Sequence, residues 1–590
     1  MDSIFERTSA GTIYKAPKHR EFPKLDLLTL LFDSDVSDAK EDTTVHADAA
    51  DPNSKRITKS ELHRLVKRLA HTLRYQYGIG KSGPGKDVAL AIVTGHFLVP
   101  TLFFSTIAAG GVYSSSNPSS TPKELLYQLN LVKPKLLFCN EDTKSTAIAA
   151  ANLFSLPLSR VLCLDTSPKS TTLRLVTLLR PQESLMISSS ELDWPTVPEA
   201  SLPETTIVIL FSSGTTGPPK ACMLSHTNLV SEICLTVDPT REYYSSRPTA
   251  SFSYRAVAHL PTAHIAGLLF NITIPFYLGG TVYWMKSFDF PLFLKYSKQY
   301  RMTHLFTVPP VYLAISKSPL VTDQLDHVEQ AVCGGAPMGK ELQIAVRKKI
   351  GGGTGFVTQT WGMSELAGCV TVMPMGDPKA GDETGSVSML ISGAEFRIVD
   401  DEEKDVEVGQ PGEILVKGPM VTRGYWGNEE ANRQAFDKNG WFRTGDIGLF
   451  RDGLFYIVDR KKELIKYKGN QVAPAELEAL LINHPHILDA AVIGVERDHT
   501  EVPRAYIVGD PKQVGAGEIA DWVAGQVSSY KRLRGGVVFV PAIPKSPSGK
   551  ILRKELRTLA KSEDREMSGY ENGKWPRQTW KPEILPKTRQ

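Results

Sequence analysis

Short, continuous apolar runs alternate with helical patterns along the first third of the chain, and this alternation most constrains the fold. Residues 88–93 (VALAIV), 135–139 (KLLFC) and 207–211 (IVILF) have the pattern of strands buried on both faces. Thr58 and Glu61 form a capping-box pair ahead of an apolar stripe at helical spacing, and residues 121–124 (TPKE) open another helix. The pattern predicts α/β layers with a mostly parallel sheet.

The length of the chain predicts more than one domain. It has 590 residues, which is too many to fold around one ordinary hydrophobic core. Residues 460–590 carry 23 Lys and Arg against 16 Asp and Glu, although the whole chain has a net charge of only +4. This basic final quarter suits an anionic ligand such as a nucleotide, and it suits a solvated surface about as well. The overall charge gives no indication of nucleic-acid binding.

Targeting and membrane signals are weak in this sequence. The polar N-terminus does not resemble a secretory signal, and the end KTRQ does not match a peroxisomal address. Residues 97–112 are apolar but too short and interrupted to span a bilayer, so they are interpreted as a buried helix. Six scattered cysteines predict neither a zinc site nor a disulfide framework. A cytoplasmic protein with no transmembrane segment is expected.

Two stretches and the C-terminus are predicted to be irregular. Residues 167–201 and 238–254 are rich in polar and turn-forming residues and are interpreted as surface loops. Residues after 565 are polar and contain prolines, so they are expected to form a loosely packed tail.

A glycine- and hydroxyl-rich segment directly follows the apolar run at 207–211. It reads SSGTTGPPK over residues 212–220, so backbone N–H groups and hydroxyls can converge on phosphate oxygens while Lys220 adds a cation. The spacing does not match a Walker P-loop, and a Ser/Thr/Gly turn alone would be unremarkable. The segment closely resembles the phosphate-binding loop of the adenylate-forming (ANL) superfamily, which includes acyl-CoA synthetases and 4-coumarate–CoA ligases. By resemblance, the nucleotide contacts are Ser212, Ser213, Gly214, Thr215, Thr216, Gly217 and Lys220.

Further motifs of the same superfamily follow in order. They are QTWGMSE at 359–365, RTGDIG at 443–448, VDRKKELIKYKGNQV at 458–472 and PKSPSGKILR at 544–553. Each alone would be interpreted as a turn, a solvated charge run or a surface loop. The resemblance implies adenine, ribose or adenylate contacts from Gln359, Thr360, Trp361, Ser364, Asp446, Arg460, Lys466 and Gln471. It also implies Mg²⁺ on Glu365, a hinge and nucleotide contact at Lys462, coenzyme A at Lys468 and Gly469, and a catalytic lysine at Lys550.

The acyl pocket is implied by weaker matches. LPTAHIAG at 260–267 resembles the segment that places a histidine, here His264, between the acyl pocket and the thiol tunnel, although an isolated histidine is more often a core residue. Lys286 resembles a lysine that meets coenzyme A phosphates, with a one-residue gap. Substitutions relative to 4-coumarate ligases put hydroxycinnamates in doubt and leave medium-chain fatty acids, phenylalkanoates and polyketide-type acids open. The implied pocket residues are His264, Ala266, Gly334, Gly335, Thr360 and Val372.

The sequence therefore predicts an enzyme, an AMP-forming acid–thiol ligase that uses ATP, Mg²⁺ and coenzyme A. A carboxylic acid would become an acyl-adenylate through Lys220, Lys550 and His264, and the acyl group would then pass to coenzyme A. The predicted domains are an N-terminal adenylation domain at 1–460 and a small mobile α+β lid domain at 461–590. The alternatives are an adenylating enzyme that loads a separate carrier protein, a luciferase-like oxygenase and a degenerate nucleotide-binding protein.

Overall fold

A seven-stranded sheet forms the centre of the larger part of the molecule. The computed structural model describes residues 5–8, 11–166, 173–179, 185, 187–212, 218–247, 252–375, 385–497, 500–546 and 549–567. Five inner strands of this sheet run parallel, and an antiparallel strand lies at each edge. The order is β11 (Lys220–Ser225), β10 (Thr206–Ser212), β6 (Val112–Ser116), β5 (Val88–Ile92), β7 (Leu136–Asn140), β8 (Val161–Leu164) and β9 (Leu175–Thr177).

The predicted strands and helix starts are confirmed around this sheet. The runs at 88–93, 135–139 and 207–211 are strands β5, β7 and β10, each with a buried centre. Both capping boxes are present, at Thr58 and at Thr121. In each, the threonine hydroxyl accepts from the backbone N–H of the glutamate three residues later, and the carboxylate of that glutamate accepts from the backbone N–H of the threonine. Four helices pack here: α1 (Lys59–Gln76), α2 (Val99–Ala108), α3 (Pro122–Val132) and α4 (Lys144–Phe154).

Smaller sheets flank the central one and carry the site. One six-stranded antiparallel sheet contains β1 (Phe5–Thr8), β2 (Gly11–Lys15), β21 (Glu395–Val399), β22 (Gly412–Lys417), β23 (Phe442–Arg451) and β24 (Leu454–Arg460). A four-stranded sheet contains β12 (Arg255–Ala258), β13 (Thr281–Trp284), β3 (Thr44–Asp48) and β4 (Arg56–Thr58). A parallel sheet contains β14 (His304–Thr307), β15 (Gln330–Cys333) and β16 (Phe356–Gln359). Two ribbons are β17 (Gly362–Met363) with β18 (Gly368–Cys369), and β19 (Thr371–Val372) with β20 (Met389–Leu390).

The remaining helices of this part lie between those strands. The short helices α6 and α7 are joined by a π-helical turn at Leu269–Thr273, so they form one continuous bent element. The set is α5 (His226–Ser245), α6 (Ile265–Leu268), α7 (Ile274–Tyr277), α8 (Phe290–Gln299), α9 (Pro309–Lys317), α10 (Lys340–Arg347) and α11 (Glu429–Ala435).

Two loop predictions were wrong in part. The segment 238–254 begins inside helix α5, which runs through Pro239 to Ser245. Tertiary burial overrides the proline there, since Thr240 and Tyr244 on the following turn are buried. Within 167–201, residues 175–177 pair with β8 and so form the edge strand β9. A 3₁₀ turn also lies at Glu199–Ser201. Most of the predicted tail lies outside the described residues.

The C-terminal part has its own core. Its apolar clusters draw only on residues from Ile465 onward, whereas the clusters of the larger part end before Arg460. None of the described helices is long and apolar enough to cross a membrane. The elements of the C-terminal part are β25 (Ile465–Tyr467), β26 (Asn470–Val472), α12 (Pro474–Ile482), β27 (Ile487–Arg497), β28 (Thr500–Gly509), α13 (Ala516–Ala524), β29 (Val537–Phe539) and α14 (Arg553–Met567).

Candidate active site

A broad polar cavity lies where strands β10 and β11 meet the C-terminal part. Ser212 and Lys220 are directly opposite each other in the antiparallel register, and both line the cavity together with Ser364. The antiparallel register thus brings both side chains to one space. Residues 213–217, which hold the rest of the predicted phosphate loop, lie outside the described residues.

Lys220 and Glu365 meet around a tyrosine. Lys220 Nζ lies 4.7 Å from the centre of the Tyr425 ring, and the Tyr425 hydroxyl donates to Glu365 Oε1 over 3.0 Å. Burial first, and Glu365 second, raise the pKa of Tyr425, so the phenol stays protonated and can donate. Glu365 lines the same cavity as Lys220, and the Tyr425 hydroxyl holds its carboxylate there.

Asp446 is buried between an indole and a guanidinium. Trp361 Nε1 donates to Asp446 Oδ2 over 2.8 Å, and Arg460 Nε lies 3.3 Å from Asp446 Oδ1. Strands β23 and β24 place the two charged residues opposite each other in register. Burial raises the pKa of Asp446, while Arg460 and the Trp361 N–H oppose that rise. The carboxylate is therefore held as an oriented acceptor beside the cavity.

A second, mostly apolar cavity adjoins the first. His264, Ala266, Gly334, Gly335 and Thr360 all line it, as the resemblance implied. A Cβ at Gly334 would lie 2.6 Å from the Phe306 ring, so only glycine fits at that wall. We call this cavity the proximal chamber.

Lys550, His264 and Met363 line both cavities and so mark their junction. Burial, followed by the nearby Lys550, lowers the pKa of His264 to about 3, which keeps the imidazole neutral. Its Nδ1 accepts from the Ala266 N–H over 3.2 Å. Burial and Arg460 lower the pKa of Lys550, whereas Glu365 and Asp446 raise it. A single cation from the C-terminal part therefore reaches the point where the two cavities meet.

The loop that carries Lys550 is fixed by local bonds. Ser546 N–H donates to the Lys550 carbonyl over 2.7 Å, and Lys550 N–H donates to Ser546 Oγ over 3.1 Å. Gly549 has φ +79°, and a Cβ there would lie 3.1 Å from Val308 Cγ2 and 3.3 Å from Pro310 Cγ on the opposite wall. Close backbone approach at this glycine lets the lysine enter the site.

Several residues that the resemblance implied lie away from these two cavities. Gln359 is buried, and its side chain is used structurally because Oε1 accepts from Met338 N–H over 2.8 Å. Trp361 lines neither cavity, and its indole N–H donates to Asp446. Lys286 is an exposed residue that pairs with Asp142 over 2.7 Å. The hairpin of β25 and β26 carries the last four, Lys466, Lys468, Gly469 and Gln471, and none of them lines the described cavities.

Sequence reasoning missed some residues of the site. Tyr425 carries no motif signal, yet it connects Lys220 with Glu365. Lys461 lines the polar cavity and pairs with Asp401 over 2.8 Å and Glu413 over 2.9 Å. Phe270 and Phe306, whose ring centres lie 3.8 Å apart, are wall residues of the proximal chamber. Only the position of Phe270, one helical turn after Ala266, was visible as a sequence signal.

The comparisons with known proteins match this arrangement. The family model for AMP-binding enzymes matches residues 33–426, and the model for the AMP-binding enzyme C-terminal domain matches residues 476–550. The chain belongs to the AMP-binding enzyme family. It is thereby a member of the adenylate-forming superfamily that its motifs predicted.

Individual relatives extend over nearly the whole chain. A putative acyl-coenzyme A synthetase of Emericella nidulans is 44% identical over 93% of this chain and 98% of its own length. A phenylacetyl-CoA ligase of Aspergillus niger is 34% identical over 91% and 97%. The crystal structure of ATP-bound MatB from Rhodopseudomonas palustris superposes with a TM-score of 0.77 at 27% identity, covering 91% of this chain and 99% of that one. The predicted activity class, ATP-dependent acyl-CoA ligation by a large N-terminal and a small C-terminal domain, is confirmed, and loading of a carrier protein is not favoured.

Proposed function

We propose that this enzyme forms an acyl-adenylate where its two cavities join, and that Lys550 is the group that activates the reacting phosphate. One observation carries the proposal. Lys550 belongs to the C-terminal part, yet it lines both the polar cavity and the proximal chamber. A carboxylate in the chamber and an α-phosphate in the polar cavity would then meet beside a single ammonium group.

Each side chain of the polar cavity has a role in adenylation. Lys220 and Lys550 would neutralise phosphate charge as pyrophosphate leaves, and Ser212 and Ser364 would donate hydrogen bonds to phosphate oxygens. Asp446 would accept from ribose hydroxyls with Arg460 beside it. In the proximal chamber, neutral His264 would neither repel the ammonium of Lys550 nor compete with it for the substrate carboxylate.

Magnesium fits this donor set. Glu365 is a carboxylate that lines the polar cavity, and Mg²⁺ is commonly held by one or two carboxylates together with substrate phosphates and water. When bound, the ion would screen the charge of the ATP phosphates. Glu365 would hold it, and the Tyr425 hydroxyl would keep that carboxylate in place.

Thiol transfer requires a second arrangement, because Lys550 occupies the junction that the thiol must reach. We place the domain boundary after residue 460 and the hinge at Lys462, which lines the polar cavity beside Arg460. Rotation about that hinge would withdraw Lys550 and bring Lys468 and Gly469, now at an exposed hairpin, towards the site with coenzyme A. Lys466 and Gln471 on that hairpin would approach the adenylate in the same movement.

Truncation of Lys550 separates the two half-reactions. Lys550→Ala is expected to lower acid-dependent ATP–pyrophosphate exchange by roughly 10²- to 10³-fold, the usual cost of one such charge-stabilising donor. Transfer to coenzyme A from a chemically prepared acyl-adenylate should stay close to wild type. Lys554→Ala, at an exposed lysine just beyond the same loop, is the matched control and should change neither rate. Normal exchange by the Lys550 variant would refute the proposal.

A further inference from the structure

Beyond the proximal chamber lies a second cavity, which we call the distal chamber. The two chambers share Phe270, Phe306, Thr360 and Cys369 as wall residues. Phe270 and Phe306 stack with their ring centres 3.8 Å apart and 11° between their planes, so this pair separates the chambers. An acyl chain that enters beside His264 and passes the pair therefore arrives in the distal chamber.

Val372 lies in the distal chamber rather than in the proximal one. The resemblance implied Val372 as an acyl-pocket residue, so its position extends the acyl pocket beyond the phenylalanine pair. Val332 and Leu305 add further apolar surface to the same wall. The end of the chain that is remote from the carboxylate would be held here.

Two buried side-chain atoms of this wall have no hydrogen-bond partner among the described residues, Thr236 Oγ1 and a ring nitrogen of His304. His304 is the residue whose hydrogen-bonding role its neighbours fix. It is 5% exposed, lines the distal chamber and stacks on Tyr254 with ring centres 4.4 Å apart. Its Nε2 is buried and has no hydrogen-bond partner among the described residues. A buried polar atom without a partner is costly, so a ligand that satisfied it would bind more tightly.

The neighbouring hydrogen bonds decide which proton His304 carries. The Thr303 hydroxyl donates to the Ser253 carbonyl over 2.6 Å and accepts from the Arg255 N–H over 2.9 Å. Its single hydrogen is thereby committed, so the 2.9 Å contact with His304 Nδ1 requires Nδ1 to be the donor. Burial, with Arg255 adding to it, lowers the pKa of His304 to about 3, so the ring carries no second proton. Nε2 therefore presents a lone pair and accepts.

We propose that the distal chamber selects acids that carry a hydroxyl group at the end remote from the carboxylate, and that His304 Nε2 accepts a hydrogen bond from that hydroxyl. The inference rests on the proposed function, because it assumes that the acyl group enters through the proximal chamber. An acceptor nitrogen discriminates in a defined way. It favours a hydroxyl over a hydrogen, and it rejects an ether or ketone oxygen, which cannot donate. His304 is a specificity residue that takes no part in the chemistry.

The test compares matched acids in ATP–pyrophosphate exchange. Straight-chain acids of increasing length and phenylalkanoates are each assayed as the parent acid, the terminal hydroxy acid and its methyl ether. In the wild type, one hydroxy series should exceed its parent and its ether by about tenfold in kcat/KM, mainly through KM, at the length that reaches the chamber. The aliphatic and aromatic arms identify which hydroxyl fits. An ether as good as the hydroxy acid, or no preference at any length, overturns the inference.

Variants locate the preference. His304→Phe keeps a ring against Tyr254 and should reduce to about one the ratio of kcat/KM for the hydroxy acid to that for its parent acid, both measured in the variant. His96→Phe is the control, since His96 is another buried histidine with an unpartnered Nε2 and lines neither chamber. An undiminished hydroxyl preference in His304→Phe contradicts the assignment. Absence of exchange with every acid in the wild type would instead refute the proposed function, and the inference with it.

Discussion

Gly549→Ala tests whether the contact between the Lys550 loop and the larger domain controls adenylation alone. An alanine Cβ at Gly549 would lie 3.1 Å from Val308 Cγ2 and 3.3 and 3.4 Å from two Pro310 ring atoms. Packing too tightly by one methyl group costs about 1–3 kcal/mol, and this cost exists only while the loop is seated in the site. Because no contact is shorter than 3.1 Å, we expect the lower part of this range, about 1–2 kcal/mol, which would reduce the population with the loop seated roughly 5- to 30-fold.

The control for backbone strain is Gly440→Ala. Gly440 has φ +81°, close to the +79° of Gly549, but a Cβ there would have no neighbour within 4 Å. Both variants therefore carry the left-handed strain of about 1–2 kcal/mol, and only Gly549→Ala adds the contact with the opposite wall. Exchange should fall 5- to 30-fold for Gly549→Ala and remain near wild type for Gly440→Ala, whereas thioester formation from acyl-adenylate should be unchanged in both. Equal losses in the two variants, or an equal loss in both half-reactions, would refute this account.

Three further predictions concern buried charges. Trp361→Phe removes a hydrogen-bond donor that lowers the pKa of Asp446, so the acid limb of the pH profile of kcat/KM for ATP should move to higher pH. An acid limb at the wild-type pH would show that ionisation of Asp446 does not control nucleotide binding. Glu232 is buried and its pKa is raised to about 8 from an ordinary value of about 4.5. Since the folded state then holds a proton that the unfolded state releases, Tm should decline between about pH 4.5 and 8 and decline less in Glu232→Gln. Arg553→Met leaves the largely buried Glu478 without its partner at 2.7 and 2.8 Å. The loss should cost roughly 2–4 kcal/mol of unfolding free energy in the C-terminal part, which denaturant melts would report, and an unchanged melt would refute this role of the pair.

The sequence predicted local and motif-borne features well, because their signals lie within a few residues. Strand β5 and the capping box at Thr58 follow directly from apolar runs and threonine–glutamate spacing. The helical course of residues 238–245 was not predictable, since a proline argues for a break and only burial of Tyr244 against distant elements outweighs it.

The hydrogen bonds beside the distal chamber could not be predicted from the sequence. The acceptor state of His304 depends on Thr303, Ser253 and Arg255, which strands β12 and β14 bring together from about fifty residues apart in the chain. Similarly, the motif containing Lys466 predicts a site residue, but it does not predict that this residue lies on a hairpin away from both cavities. Residue patterns encode which groups take part, and the tertiary arrangement decides when and against what they act.

The contacts between the two parts of the molecule agree with a rotation about Lys462. Helix α12, the first helix of the C-terminal part, makes two polar contacts with the larger part. The Ala475 N–H donates to Asp459 Oδ2 over 3.0 Å, and Nζ of the exposed Lys317 donates to the Ile482 carbonyl over 3.2 Å. No apolar cluster of the described residues contains side chains from both parts. Polar bonds of this kind exchange for water at small net cost, about 0.5–1.5 kcal/mol each. Since ATP phosphates would attract Lys550 and pyrophosphate release would remove that attraction, the charge of the substrate itself can decide which arrangement is occupied.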